Sequence, residues 1–437
     1  ATAQGFARIK ETHGADAVGV IGSGRITNEE AYLLQKFTRA ALGTNNVDTS
    51  GRYPYQGLME LRECLGYPAM TNSIAELRDA EVILAVRSDP QETHPMVKLE
   101  VIMALNRSRA FLIAANSYET WLHAKAHCAI IYRPRTEVAF LNGLMHVIFK
   151  ENLEDPMFIA QRTRGCEELR SAVSAYSPDA VQSMTGVRAD LLVAAARKYA
   201  ASPKAALLIS TGLGLRGDES GIARAACALA LITGNIGRPS AGVNLLSEKS
   251  NSQGVLDMGM IPEYLPGYRD VRDQGERRAF EIAWNARLSS APGLNALDLL
   301  RGAEQGRVKA LYLVGENPLC SYPDGNRTLR ALQQAELVVV QDLFLSETAA
   351  QAHVVLPALS LPEKEGTITS TERRVQRCEP ALKPAGGGKS DAEIIIDLAR
   401  RLGYEMSFQH PRQLLREIAA LVPFYSGISW ERIPSGG

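Results

Sequence analysis

Six short apolar runs, each closing on a polar or glycine-bearing tip, constrain this chain more than any other feature. They lie at residues 17–21, 81–86, 110–114, 205–210, 310–314 and 337–340. Each is too short for an ordinary helix and too evenly apolar for a strand with one wet face. Strands buried on both faces of a parallel sheet read this way, because helices cover both sides. The helical stretches between them supply the right-handed crossovers that such a sheet needs. The expected fold is α/β, with two doubly wound parallel-sheet domains. Ligands of open sheets of this kind sit outside the carboxyl ends of the strands, so the tips carry the functional expectations.

The run 337–340 stops at Gln341 and Asp342. Ser346, Glu347 and Thr348 can cap the turn that follows, and 354–356 reads as the next strand. Residues 365–372 then gather polar side chains, Thr369 among them, into a loop with one glycine. That composition suits a polar ligand held against backbone, and ordinary capping explains it equally well. The first run leads through Gly22, Ser23, Gly24 and Arg25 to Thr27 and Asn28, which open a helix over 29–41. Backbone N–H groups at such a helix start favour an anion, although a lone Gly-Ser-Gly is also a plain turn. Gly315, Glu316 and Asn317 close the strand 310–314. Residues 211–217 are glycine-rich but lack G-x-G-x-x-G spacing, so a nicotinamide-dinucleotide site is not supported.

At 437 residues the chain can hold two or three domains with full cores. Its 48 basic and 48 acidic residues cancel, which removes the electrostatic case for nucleic acid or an anionic membrane surface. No apolar run reaches the roughly 18 residues that span a bilayer, so no direct membrane insertion is expected. The first residue is alanine, which leaves open an upstream segment and any export signal with it. Cys64, Cys128, Cys166, Cys227, Cys320 and Cys378 are widely spaced, with no C-x-x-C. They read as reduced core thiols of a cytoplasmic protein, not as a disulfide framework, zinc site or cluster site. His94, His123, His127 and His146 likewise lack metal-ligand spacing.

The segments QDLFLSETAAQAHVVLP and EKEGTITSTERRVQR resemble the pterin-dinucleotide block of the molybdopterin (bis-guanine-dinucleotide) oxidoreductases, most of all formate dehydrogenase alpha subunits. Gly315-Glu316-Asn317-Pro318, LITGNIGRPSAGVN and NSQGVLDMG extend the likeness along nearly the whole chain. The resemblance implies a discontinuous domain built from 1–48 plus 227–437, with 49–226 inserted as the other. It also implies remnant cofactor contacts at Gly22, Ser23, Arg25, Asn251, Gln253, Gly254, Asp257, Gly315, Glu316, Asn317, Gln341, Asp342, Thr348 and Thr369.

Several positions depart from the family pattern. Where formate dehydrogenases carry the metal-ligating cysteine or selenocysteine and then a histidine, this chain has Pro54 and Tyr55. Proline offers a metal no donor atom, and a tyrosine hydroxyl, ordinarily near ~10, is poorly matched to proton transfer at neutral pH. Cys64, ten positions on, is a candidate substitute ligand or simply a buried helix thiol. Arg87 stands at the glycine of a Gly-Ser-Asn strand end, Asp89 at its asparagine, and Asn116 lies where an Asp-Pro-Arg is usual. Ser247-Glu248-Lys249-Ser250 replaces the first half of the family's GQNNVQGACDMG loop. Arg224 keeps the place of the substrate-carboxylate arginine, with an internal salt bridge as the bland alternative.

These features lead to a first expectation: a non-catalytic, formate-dehydrogenase-like part of a larger redox complex, comparable to the degenerate domain in the large iron–sulfur subunit of NADH:quinone oxidoreductase. No cofactor is expected beyond a residual molybdopterin guanine dinucleotide or guanine nucleotide. Partners would be the other subunits of that complex, iron–sulfur and flavin subunits among them, with no nucleic acid. They would cover surfaces that the family's amino-terminal iron–sulfur region and carboxy-terminal barrel otherwise cover. The location would be cytoplasmic, including the cytoplasmic side of a membrane complex. The alternative is a working molybdenum or tungsten formate dehydrogenase or carbon dioxide reductase, with an unusual ligand and its missing domains supplied in trans.

Overall fold

The computed structural model describes residues 1–50, 52–210, 218–247, 249–384 and 386–434, with the backbone alone described at Tyr53 and Pro54. The chain divides into two compact units, residues 1–52 with 249–437 and residues 53–248.

The first unit is built on a five-stranded parallel sheet. From one edge to the other it runs Val354–Pro357, Leu337–Asp342, Ala310–Val314, Val18–Gly22 and Val47–Thr49. Register is fixed by pairs such as Val18 opposite Ala310 and Val20 opposite Val47. Alternate side chains serve opposite faces, as the pleat requires. Tyr312 and Val339 pack with Phe6, Phe37 and Ile395, whereas Leu311, Leu313, Val338 and Val340 pack with Leu299, Leu300 and Leu332. Both faces are therefore apolar and helix-covered, which is why the runs read as uninterrupted. Each fully buried Leu or Ile contributes about 1.5–3 kcal/mol. Thr27 and Glu30 form a capping box that starts the helix Asn28–Lys36. Past Phe37 the helix widens into a π turn, and a left-handed Gly43 ends it. The buried Arg39 of that turn donates to the carbonyls of Ile261 (2.7 Å) and Tyr264 (2.9 Å), pinning a distant loop.

The second unit holds another five-stranded parallel sheet, ordered Cys128–Ile131, Phe111–Asn116, Val82–Val86, Ala205–Ser210 and Gly242–Leu246. Leu77, Val97 and Val101 cover one face against Ile83, Ala85, Leu112 and Leu208. The helices Glu137–Lys150, Ala189–Ala200 and Glu219–Ile232 pack together around the remainder of its core. No helix among the described residues is long and apolar enough to cross a membrane.

Two expectations need correction. Residues 227–248 belong to the second unit, because Gly242–Leu246 pairs along Ala205–Ser210. The polar loop at 365–372 is largely a β-hairpin, in which Gly366–Thr369 pairs antiparallel with Val375–Cys378. Alternating Thr367, Ile368 and Thr369 favour a strand there, and glycine at its start does not forbid one.

Candidate functional site

In the first unit the chain leaves Val18–Gly22 for one edge of the sheet and later fills the other side through Ala310–Val314. The switch point thus lies between these two strands, where a doubly wound sheet opens a crevice at its carboxyl ends. Ser23 and Gly315 meet across it. Gly315 holds φ 63°, and a Cβ there would stand 3.3 Å from the Ser23 Cβ. Glycine is needed at this point both for its backbone and for the closeness of the two loops. Gly22 answers to packing instead, since a Cβ would lie 3.0 Å from Leu34 Cδ2. Ser23 Oγ accepts from the Arg25 backbone N–H (3.2 Å), and the Arg25 side chain is exposed.

Glu316 is buried beside this crevice and is already engaged. Its Oε1 accepts from Lys249 Nζ at 2.9 Å and from the Ser50 hydroxyl, to which Lys249 also donates. Its Oε2 has no hydrogen-bond partner among the described residues. Lys249 reaches this place because the loop 249–251 is tied down, with Asn251 N–H donating to the Gly24 carbonyl (2.9 Å). The lysine's role was missed in the sequence, where it appears only as part of a replaced half-loop.

A second group is a closed polar network. Asn251 donates to the Ile26 carbonyl (2.8 Å) and accepts from Thr369 N–H (2.7 Å). Asn28 Nδ2 donates to the Thr367 and Thr369 hydroxyls, each at 3.0 Å. Thr369 shares a hydrogen bond with Tyr425 (2.6 Å), which donates to Asp257 (3.1 Å). Asp257 also accepts from Gln253 (2.9 Å) and Tyr268 (3.0 Å). Burial pushes the Asp257 carboxyl up to about 6, against the pull of these three donors. Gly254 is required here, because a Cβ would strike the Asn28 and Asn251 side chains. Glu29, another residue not anticipated, accepts from both Thr367 N–H (2.8 Å) and Thr367 Oγ1 (2.7 Å).

The remaining predicted contacts are likewise paired within the unit. Gln341 accepts from Tyr312 and donates to Asp391 at 2.6 Å. Asn317 accepts from the Thr348 hydroxyl (2.6 Å) and donates to Glu347 (2.7 Å), joining two strand ends. Asp342 is half-buried and accepts from Leu343 N–H (2.7 Å), and burial raises its carboxyl. The structure therefore places the predicted positions in the first unit, where most of their polar atoms meet partners of the same unit.

In the second unit the corresponding tip is closed by Arg87. Its φ of 52° is a left-handed conformation that glycine adopts without strain. Its guanidinium donates to Glu219 (2.6 Å to each oxygen) and to the Ser210 carbonyl (3.2 Å). Asn116 and Asp89 are also buried, and Asn116 accepts from Ser117 N–H at 2.8 Å. The expected ligand place Pro54 and the glycine-rich loop 211–217 lie outside the described residues, Pro54 in respect of its side chain. Tyr55 is buried in the helix Arg52–Leu65.

Arg224 forks onto Glu60 at 2.9 and 3.0 Å, with a side chain 68% exposed. Screened by solvent, such a pair stabilises little. Arg224→Ala should change unfolding free energy by less than about 1 kcal/mol, measured by urea denaturation. A larger loss would mean that the guanidinium holds more than Glu60. Among the described residues no group of three or more His, Cys, Asp or Glu is arranged to hold a metal ion.

Two parallel sheets, each with a switch point in its strand order, define an α/β protein of the doubly wound, open-sheet class. Comparison with known proteins narrows the class. The family described as Molybdopterin oxidoreductase matches residues 1–401. The chain is 37% identical over 430 residues to the F420-dependent formate dehydrogenase 1 subunit alpha of Methanococcus maripaludis, covering 98% of this chain and 63% of that one. It is 37% identical over 437 residues to formate dehydrogenase H of Escherichia coli, covering 99% and 61%. Acetylene hydratase from Pelobacter acetylenicus shares the fold with a TM-score of 0.75 at 21% identity, covering 98% and 61%. The chain belongs to the molybdopterin oxidoreductase family. It spans 61–63% of the length of these curated relatives.

Proposed function

We propose that this chain is a formate-dehydrogenase-like α/β core that has given up metal chemistry and serves as a structural part of a larger redox complex. The observation that carries the reading is the Lys249–Glu316–Ser50 cluster at the switch point of the first unit. The Lys249 ammonium is matched by the Glu316 carboxylate, so the pair offers an anionic ligand no net positive charge. Pro54 and Tyr55, at the positions that resemblance gives to the metal ligand and its histidine, support the same conclusion, as do the Arg87–Glu219 pair and the internally paired Gln341 and Asp257. These residues do not fit a resident molybdenum or tungsten ion. Leu343, Phe344 and Leu345, exposed in sequence at one strand end, suit burial against a neighbouring subunit. One relative is an alpha subunit by name, and iron–sulfur and flavin subunits are the partners this reading implies, on the cytoplasmic side.

A second reading is an active molybdenum or tungsten formate dehydrogenase that uses an unusual metal ligand. The Asn251–Thr369 contact favours it, since Asn251, Gln253, Gly254 and Asp257 keep residues of the family's loop. Metal analysis of the purified protein in its native complex, combined with a formate-dependent dye-reduction assay, separates the two. The structural reading expects neither stoichiometric molybdenum or tungsten nor turnover on this subunit. Stoichiometric metal with turnover abolished by substitutions in this chain would overturn it.

A further inference from the structure

The second unit carries a cavity of about 590 Å³ away from its strand tips. Arg224, Ala228, Leu231 and Ile232 line it from the helix Glu219–Ile232. Positions 224, 228 and 231 are spaced i, i+4 and i+7, so they share one face of that helix. The helix follows the strand Ala205–Ser210 and returns alongside the sheet, so its last turn lies at the far end from the tip closed by Arg87. The cavity extends to that last turn.

The lining divides by chemistry. Leu169, Ala228, Leu231 and Ile232 form an aliphatic wall, and no aromatic ring reaches the cavity. Arg162, Arg164 and Arg224 supply three guanidinium groups, with Glu63 the carboxylate among them. Glu60 matches Arg224, at 2.9 and 3.0 Å. The Arg162 and Arg164 side chains are exposed, with no ion pair or hydrogen-bond partner among the described residues. Glu63 offsets one of these two, so positive charge is left over, which the Lys249–Glu316 pair of the first unit does not offer.

The backbone adds to this charge. The helix Cys166–Val173 starts against the cavity at Gly165, which has no side chain to cap the first turn. Its leading N–H groups lack intrahelical acceptors, and the helix dipole makes that end positive. Glu167 and Glu168 of the same turn do not line the cavity, and Glu167 lies 3.8 Å from Arg170.

We propose that this cavity binds an aliphatic carboxylate, its chain against Leu169, Leu231 and Ile232 and its head on Arg162 and Arg164. A guanidinium fork meets a carboxylate through two parallel N–H donors. A bare inorganic anion would leave the aliphatic wall in water, whereas a chain covers it. The volume lies within the span of about 300–1,000 Å³ usual for small-molecule sites.

The test titrates octanoate into the whole chain by calorimetry, with acetate and octanol as probes of each half of the ligand. Octanoate should bind saturably at one site. Acetate, which lacks the chain, and octanol, which lacks the charge, should each bind about tenfold more weakly or worse. Arg162→Gln with Arg164→Gln should weaken octanoate about tenfold and leave octanol unchanged. A diazirine-bearing octanoate should label peptides covering 162–169 and 224–232, read by mass spectrometry, and excess octanoate should suppress the label. No saturable octanoate binding, octanol binding as tightly as octanoate, or labelling confined to other peptides would overturn the assignment. So would an arginine variant that folds and keeps full octanoate affinity. The ligand series and the labelling use the wild type, so poor folding of the variant does not blunt the test.

Discussion

Replacing Lys364 by methionine should destabilise the protein by about 3–5 kcal/mol in urea denaturation at neutral pH. Lys364 Nζ lies 2.9 Å from Glu30 Oε2 and also binds Asp391, and all three side chains are at most 5% exposed. Methionine fills the space but leaves two carboxylates facing each other away from water. Their tie-points make escape difficult: Glu30 caps its helix through Thr27 N–H (2.9 Å), and Asp391 is held by Gln341 (2.6 Å). The pairing also acts on titration. Burial and the nearby Asp391 raise the Glu30 carboxyl, while Lys364 pulls it back down. The triple variant Lys364→Met, Glu30→Gln, Asp391→Asn should recover most of the loss, because no uncompensated charge remains. A Lys364→Met protein within about 1 kcal/mol of wild type would mean that water reaches the cluster.

Stability should fall as pH rises from about 4.5 towards 7, and Glu29→Gln should flatten the fall. Burial raises the Glu29 carboxyl from 4.5 to about 7, despite the hydrogen bonds from Thr367 that favour its charged form. A raised carboxyl binds its proton more tightly folded than unfolded. Its contribution is therefore complete below the unfolded value and is lost as pH climbs through the folded one. For Glu29 alone the swing is about 3 kcal/mol. Asp48, raised by burial to about 7, and Asp257, raised to about 6, act in the same direction. Glutamine stays neutral, so Glu29→Gln should exceed wild type by about 1–2 kcal/mol at pH 8 and fall to or below it near pH 4.5. An equal loss at both pH values would show that Glu29 is not the titrating group.

Much of the fold was legible because buried parallel strands advertise themselves. Val338–Val340 and Leu311–Leu313 have no wet face, so nothing polar interrupts them. The strands Val47–Thr49, Cys128–Ile131 and Gly242–Leu246 were less visible. Each is an edge strand, short or marked by polar or glycine residues, and pairing rather than composition makes it a strand. The last of these explains the misplaced boundary at 227. Strand tips drew attention to Ser23, Gly315, Glu316 and Gln341, yet the sequence could not tell a ligand contact from an internal one. Gln341 binds Asp391, fifty residues later, and Glu316 binds Lys249, sixty-seven residues earlier. Such partners are set by topology, and no local pattern records them.

The strand Val18–Gly22 has one neighbour close at hand, Val47–Thr49, while the other, Ala310–Val314, comes from far along the chain. On the ribosome its apolar side chains emerge long before their second partner exists. At roughly 5–20 residues per second the delay is on the order of tens of seconds. All five strands of the intervening sheet are made within that interval, so it is the half that closes first. The nascent segment meanwhile carries an open sheet edge, which makes it the natural client of a holding chaperone and the point where misassembly begins.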